Sequence, residues 1–195
     1  MYKNNKQVFV LAICGPSGSG KSTLCQRVYD CYANQACRMP LDHYYRDLGG
    51  LPLAQRSGVN FDHPDSLDHL LFIEHIKQLT LGHGIEQPIY DFVTHSRLAH
   101  TLSIEPKPLV LIEGILALHW PQLNELIDYS IYVNTPWAMC KQRRIVRDIQ
   151  ERGRDRIAIE RQLAQTVVPM TKQFVQPQRF IADVCVCHQT PEDLN

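Results

Sequence analysis

Gly15-Pro16-Ser17-Gly18-Ser19-Gly20-Lys21-Ser22 fills every position of the pattern G-x-x-x-x-G-K-[ST], and Thr23 follows it. Such a loop curls so that successive backbone N–H groups point inward at phosphate oxygens, and glycines leave room for that approach. Lys21 adds a mobile positive charge for the outer phosphates, and the Ser22 hydroxyl can hold Mg²⁺. The helix expected to start near Lys21 turns the positive end of its dipole on the same anion. A Gly/Ser-rich linker has a similar composition, but linkers rarely sit between a buried strand and a helix. The loop therefore implies a bound nucleoside triphosphate. Two carboxylates stand where that chemistry would use them. Glu113 closes an apolar run at 109–112 and can bind Mg²⁺ opposite Ser22, directly or through water. Asp42 follows a weak strand candidate, where strand ends open on the crevice of a nucleotide-binding α/β fold; an Asp there equally caps a turn. Arg143, Arg144 and Arg147 share one side of an expected helix, which Arg154 would join beyond Gly153. They read as a phosphate clamp, or as an ordinary exposed face with the i,i+4 pairs Arg144–Asp148 and Arg147–Glu151.

The elements that must position these residues follow from hydrophobic periodicity. Residues 8–13 are an apolar run suited to a fully buried strand, and helix signals run from the loop to about residue 33 with Leu24, Val28 and Cys31 at core spacing. A short strand is expected over 38–41, cut off by Pro40. Gly49, Gly50, Pro52 and Gly58 mark an irregular, mobile segment. A helix is expected over 66–81, closed by Gly82, with Leu67, Leu70, Ile73 and Ile76 toward the core. Residues 89–93 and 98–104 flank the polar turn Thr94-His95-Ser96-Arg97 and read as a hairpin outside the main sheet, bordered by Pro88, Pro106 and Pro108. Strands are expected at 109–114, 131–133 and 183–187, and helices at 138–152 and 156–168, the latter stopped by Pro169. The fold class is α/β, a parallel sheet flanked by helices, with a hairpin insertion.

Length and composition set the outer limits. The 195 residues suit one domain, and 20 basic residues balance 20 acidic ones, so no global field draws the chain to nucleic acid or a membrane. No signal peptide or membrane-spanning run is read in the sequence. Seven cysteines, an odd number in apolar surroundings, suit reduced, buried thiols in the cytoplasm better than a disulfide framework. His63, His69 and His75 step by six residues and spread around a helix, which favours packing or solvation over metal ligation. Cys185, Cys187 and His188 lack the second pair a zinc site needs.

Taken together, the motifs resemble the uridine–cytidine kinase family, within the phosphoribulokinase/uridine kinase group. Asp42-His43-Tyr44-Tyr45-Arg46, Asn60-Phe61-Asp62-His63-Pro64-Asp65 and Tyr90-Asp91-Phe92-Val93-Thr94-His95-Ser96-Arg97 are similar to the family's carboxylate, Phe-Asp-His-Pro and hairpin segments. Glu113-Gly114-Ile115-Leu116 resembles its metal-binding strand end, and Arg143 to Asp155 its lid. The likeness runs collinearly over residues 8–187. It departs at Leu41 and His43, where many relatives carry Gln and a small polar residue, at Pro40, and in a short or missing terminal helix.

The resemblance implies phosphoryl transfer from ATP or GTP, with Mg²⁺, to the 5′-hydroxyl of uridine or cytidine. Asp42 would receive the hydroxyl proton and is a further candidate for the metal. Asp62, Arg147 and Gln162 would hold the ribose; Tyr90, Phe92 and His95 would enclose and read the pyrimidine. Arg144 and Arg154 would reach the triphosphate. On this reading Asp42 moves toward catalyst and the arginine helix toward clamp. Residues 43–107 would form the nucleoside-side insertion and 141–162 the lid of a single domain spanning 1–195. Partners would be a nucleoside and a nucleoside triphosphate, and a homo-oligomer stays open. Rival readings are a kinase of the same group acting on pantothenate or a sugar phosphate, and a non-catalytic nucleotide-binding relative. A GTPase-type switch would need an Asn/Thr-Lys-x-Asp motif, which the sequence lacks.

Overall fold

Strand β1 (Phe9–Cys14) occupies the middle of a five-stranded sheet, between β5 (Leu109–Gly114) and β6 (Tyr129–Asn134). The computed structural model describes residues 7–56 and 58–187. Strand β2 (Ala36–Pro40) lies outside β5 and β7 (Val184–Cys187) outside β6, giving the order β2-β5-β1-β6-β7 with every pair parallel. Alternate residues point to opposite faces, and here both faces are covered. Val10, Ala12 and Cys14 with Val110 and Ile112 meet Phe72, Ile73, Ile76 and Leu79 of the helix His69–Thr80. Ile13, Leu111 and Val133 meet Cys25, Leu24 and Val28 of the helix Lys21–Tyr32. Double coverage is why residues 109–112 are continuously apolar rather than alternating.

Strands β3 (Ile85–Asp91) and β4 (Ser96–Ile104) form a separate antiparallel hairpin. It is longer than expected. Pro88 sits inside β3, beside a register shift between Pro88 and Tyr90, where a bulge tolerates a residue with no N–H.

Several other expectations shift. The central helix starts at His69, capped by Asp68, whose side chain accepts from the Leu71 N–H, and a 3₁₀ turn (Pro64–Ser66) precedes it. Leu70 therefore turns outward at 68% exposure, while Leu67 is buried from the lead-in rather than from the helix. Pro169 does not stop its helix. The chain stays helical from Arg156 to Phe180, through wide π turns at Leu163–Val167 and Thr171–Val175 on either side of Pro169. A wider turn accommodates the missing N–H and the ring clash that would break a regular helix. Buried Val167, Thr171 and Val175 keep this stretch docked.

All seven cysteines are free, but only Cys14, Cys25, Cys37 and Cys140 are buried; Cys31, Cys185 and Cys187 are exposed. Among the described residues no cluster of His, Cys, Asp and Glu could hold a metal, and no helix is long and apolar enough to cross a membrane. His188 and the chain end beyond it lie outside the described residues, as do residues 1–6.

Candidate active site

The phosphate loop leaves β1 and must turn at once into its helix. Gly15, Gly18 and Gly20 all take positive φ, which side-chain-bearing residues avoid. At Gly15 a Cβ would lie 2.6 Å from the Val133 carbonyl oxygen, and at Gly18 it would strike the backbone of Cys140. The loop is thus pressed against β6 on one side and the helix Trp137–Gln150 on the other. The Thr135 hydroxyl donates to the Ser19 carbonyl at 2.8 Å, and Ser19 N–H closes the turn on the Pro16 carbonyl at 3.0 Å. The Ser22 hydroxyl lies 3.1 Å from both carboxylate oxygens of Glu113, which the register of β5 sets next to the end of β1. Burial raises the Glu113 pKa and Asp42 adds to the rise, while Lys21 and the Ser22 hydroxyl oppose it. Lys21 itself is buried.

Asp42 sits on a 3₁₀ turn (Leu41–Tyr44) directly after β2. The departures from the family pattern have packing roles there. Pro40 ends an edge strand, a place where a sheet tolerates a residue with no N–H. Leu41 is fully buried and packs so tightly on Gly114 that a Cβ at Gly114 would lie 2.6 Å from the Leu41 Cβ. An apolar anchor thus fixes the turn that presents Asp42. His43 Nδ1 accepts from the Tyr90 N–H at 3.3 Å, joining that turn to the hairpin. Burial lowers the His43 pKa and Arg38 adds to this, while Asp42 pulls the other way.

The hairpin is tied down from the same side. Arg97 donates to the Tyr45 carbonyl at 2.9 Å and the Tyr44 carbonyl at 3.2 Å, lies 3.4 Å from Asp68 Oδ2, and its N–H reaches Asp47 at 3.0 Å. Arg56 donates to the carbonyls of Leu51, Gly49 and Thr94, so the segment expected to be mobile is stapled to the hairpin tip. The result is an aromatic box. His95, at φ +52° in the turn, stacks on Phe61 with centroids 4.7 Å apart and planes 19° apart. Phe92 packs edge-on to Tyr90 and carries the Arg152 guanidinium 4.6 Å above its ring. Burial lowers the His95 pKa, and Arg154 and Arg152 lower it further, so the ring is neutral at pH 7 and can both donate and accept. Tyr90 is pushed up to about 12, chiefly by burial. Its hydroxyl and Asp62 Oδ2 are buried with no hydrogen-bond partner. Both residues line one cavity, where a polar ligand can supply the missing partners.

Of the ion pairs the spacing allowed, Arg144–Asp148 forms and, among the described residues, Arg147–Glu151 does not, and the pair that forms is buried rather than solvated. Arg144 is buried, 3.3 Å from Asp62 Oδ1 and 3.8 Å from Asp148 Oδ2. Arg147 turns to Asp148 at 2.8 Å, and Arg154 binds both Asp148 at 3.3 Å and Gln162 at 2.7 Å. Burial alone would raise the Asp148 pKa, but Arg147, Arg152 and Arg144 together hold it below the usual range.

One cavity is lined by Lys21, Asp42, Asp62, Tyr90, Phe92, His95, Arg144, Arg147, Arg154 and Gln162, with Ser17. An open groove beside it is lined by Gly18 to Thr23 with Arg143, Arg144 and Arg147. Lys21, Arg144 and Arg147 face both. Gly15, Pro16 and Glu113 do not line either space. Tyr45, Phe61, Ile115 and Arg152 line the cavity but were not singled out from the sequence as site residues. All four lie inside motifs quoted from the sequence for other residues: Tyr45 beyond Asp42, Phe61 beside Asp62, Ile115 beyond Glu113 and Arg152 among the lid arginines.

Comparison with known proteins points the same way. The family model described as "Phosphoribulokinase / Uridine kinase family" matches residues 10–194. A uridine kinase of Proteus mirabilis is 41% identical over 185 residues, 92% of this chain and 87% of that one. A uridine kinase of Clostridium botulinum is 39% identical over 183 residues, covering 93% and 88%. Among solved structures, phosphoribulokinase from Rhodobacter spheroides superposes with a TM-score of 0.67 at 12% identity, over 94% of this chain and 71% of the other, a likeness of fold alone.

Proposed function

Because the chain belongs to the phosphoribulokinase/uridine kinase family, we propose that it transfers the terminal phosphoryl group of ATP or GTP to the 5′-hydroxyl of uridine or cytidine, a step of pyrimidine salvage. The observation that carries this reading is the single cavity in which Lys21 and Asp42 face the aromatic box of Phe61, Tyr90, Phe92 and His95. The phosphate-loop lysine and a planar-base site share one space, with the Asp42 carboxylate in its wall.

The donor's phosphates lie in the groove along Gly18 to Thr23, where loop N–H groups and Lys21 meet their oxygens. Ser22 and Glu113 would hold Mg²⁺: a hydroxyl beside a buried carboxylate is a hard-oxygen donor pair. When bound, the ion neutralises charge on the outer phosphates. Stacking between His95 with Phe61 and the Phe92 side holds the base, and neutral His95 and the Tyr90 hydroxyl hydrogen-bond to the nucleoside. Asp62 Oδ2 and Gln162 take ribose hydroxyls. Asp42 orients the 5′-hydroxyl and accepts its proton as the bond to phosphorus forms; a free carboxylate is too weak a base to ionise the alcohol beforehand. Arg144, Arg147 and Arg154 spread positive charge over the transferring group and exclude water, which would otherwise compete as acceptor. Residues 43–107 act as the acceptor side and 141–162 as the lid of one domain, and the free thiols suit a cytoplasmic enzyme.

The test is a coupled kinase assay with uridine, cytidine, adenosine, pantothenate and ribulose 5-phosphate, each with ATP and GTP. Turnover is expected with uridine or cytidine. A chain that phosphorylates pantothenate or the sugar phosphate and neither pyrimidine nucleoside refutes the reading.

A further inference from the structure

Asp148 is fully buried and lines neither the cavity nor the groove, yet four arginines that line the cavity converge on it. Its two oxygens divide them. Oδ1 takes Arg147 at 2.8 Å and Arg152 at 3.8 Å; Oδ2 takes Arg154 at 3.3 Å and Arg144 at 3.8 Å. The backbone repeats the tie, since the Arg154 N–H donates to the Asp148 carbonyl at 3.1 Å across the turn at Gly153. Four like charges around one cavity repel, and long arginine side chains have many rotamers in which to relieve that repulsion. A central carboxylate changes the balance, because each guanidinium gains an ion pair in a conformation that also faces the cavity. The second partners sit on the far side: Asp62 for Arg144, Gln162 for Arg154 and the Phe92 ring for Arg152. Arg144, Arg152 and Arg154 are thereby held between the buried carboxylate and the cavity wall, while Arg147 is fixed by two N–H contacts to Asp148 Oδ1.

We infer that Asp148 is the positioning residue of this site, gathering Arg144, Arg147, Arg152 and Arg154 into the array that receives the phosphates and closes on the acceptor. The inference rests on the proposed phosphoryl transfer, but not on the identity of the acceptor. It assigns Asp148 no contact with substrate.

Asp148→Asn keeps the shape and one acceptor oxygen and removes the charge. Its kcat, normalised to folded protein and measured well below the melting temperature, is expected to fall about 30-fold or more, as for reacting groups displaced by an ångström. Arg152→Gln lowers kcat as well, and the double variant is expected to be little worse than the more damaged single one, because both changes disrupt one array. Losses that multiply, or a folded Asp148→Asn protein with kcat within threefold of wild type, overturn the inference. If that variant does not fold, Asp148→Glu decides: it keeps the charge and shifts it by one methylene, and a kcat reduced about tenfold is expected. Unchanged activity of that variant, or failure of both to fold, assigns Asp148 to stability alone and overturns the inference. Should wild type phosphorylate no pyrimidine nucleoside, the functional reading fails separately. Asp148 is then judged by calorimetric binding of a non-hydrolysable ATP analogue with Mg²⁺, expected to weaken about tenfold in Asp148→Asn because Arg144 and Arg147 also line the phosphate groove; unchanged affinity overturns it.

Discussion

Gly18 and Gly82 offer a matched pair of alanine substitutions. Both hold nearly the same positive φ, +82° and +83°, so the conformational strain of adding a Cβ is common to them. Their surroundings differ. Gly82 closes the helix His69–Thr80 with nothing within 4 Å of a Cβ, whereas a Cβ at Gly18 would drive into the Cys140 backbone, with the Cα at 3.2 Å. Gly82→Ala should therefore cost only the left-handed strain, about 1–2 kcal/mol. Gly18→Ala adds an overpacking cost of about 1–3 kcal/mol, because backbone rather than a flexible side chain blocks the way. For a chain of this size each kcal/mol lowers Tm by about 2–4 °C, so Gly18→Ala should melt some ~2–12 °C below Gly82→Ala. Gly50→Ala, with open space and no positive φ, serves as a near-neutral control. Urea unfolding of the three variants gives the stabilities, and titration with a non-hydrolysable ATP analogue gives the second readout. Only Gly18→Ala should lose nucleotide affinity, since only there must the loop move away from the helix Trp137–Gln150. Equal stability of the Gly18 and Gly82 variants, with unaltered binding in both, would refute the argument that this loop is shaped by its packing on Cys140.

Asp42→Asn should lower kcat about 10²–10⁴-fold with little change in donor affinity, measured by steady-state kinetics; near wild-type turnover excludes Asp42 as proton acceptor. Arg97→Met removes the guanidinium contacts to two carbonyls and Asp68 that tie the hairpin to the Asp42 turn, and should raise the nucleoside KM several-fold while sparing the ATP KM. Burial lowers the pKa of His43, His75, His95 and His119 alike. Below about pH 6.5 the unfolded chain therefore binds protons that the folded chain refuses, and stability should fall as pH drops from 7 toward 5. The Asp148 carboxylate, held low, contributes fully above the ordinary Asp range and loses that contribution from about pH 5 downward through its lowered folded-state pKa, so the two losses follow one another in Tm-against-pH curves. Titration with a thiol reagent should find Cys31, Cys185 and Cys187 fast and the other four slow. Burial raises Cys25 and Cys37 to about 11 and Cys14 to about 12, which removes the thiolate as well as the access.

The sheet was legible because its strands obey a rule that needs no partner to be seen. A run such as residues 109–112, apolar on both faces, can only be buried on both faces. The phosphate loop was legible for a similar reason, since each glycine answers a local demand of the backbone. Misreadings arose where a tertiary contact overrode the local signal. Leu70 fits the helical stripe but lies at the helix start and faces outward, because the helix begins at His69, capped by Asp68, rather than at residue 66. Pro169 ought to end a helix, and does not, because wide turns on both sides absorb it and buried neighbours hold it in place. Cys31 fits the core spacing of its helix yet lies in its exposed last turn.

The arginine helix shows why the candidate site was only half legible. Spacing correctly paired Arg144 with Asp148, and an i,i+4 ion pair is the usual sign of a solvated face. Hydrophobic periodicity cannot reveal that this face is buried, because what buries it is charge: Asp62 from a distant loop, Gln162 from the next helix, Arg152 from the helix end, and Arg154 from across a glycine turn. A buried acid is costly unless paired, and here one carboxylate is shared among four cations, so removing it would leave four charges with reason to separate. Charge that is buried for function follows no apolar stripe. It becomes visible only when the fold has brought its partners together, which is why Asp148, read from the sequence as a surface partner, stands in the structure at the centre of the array.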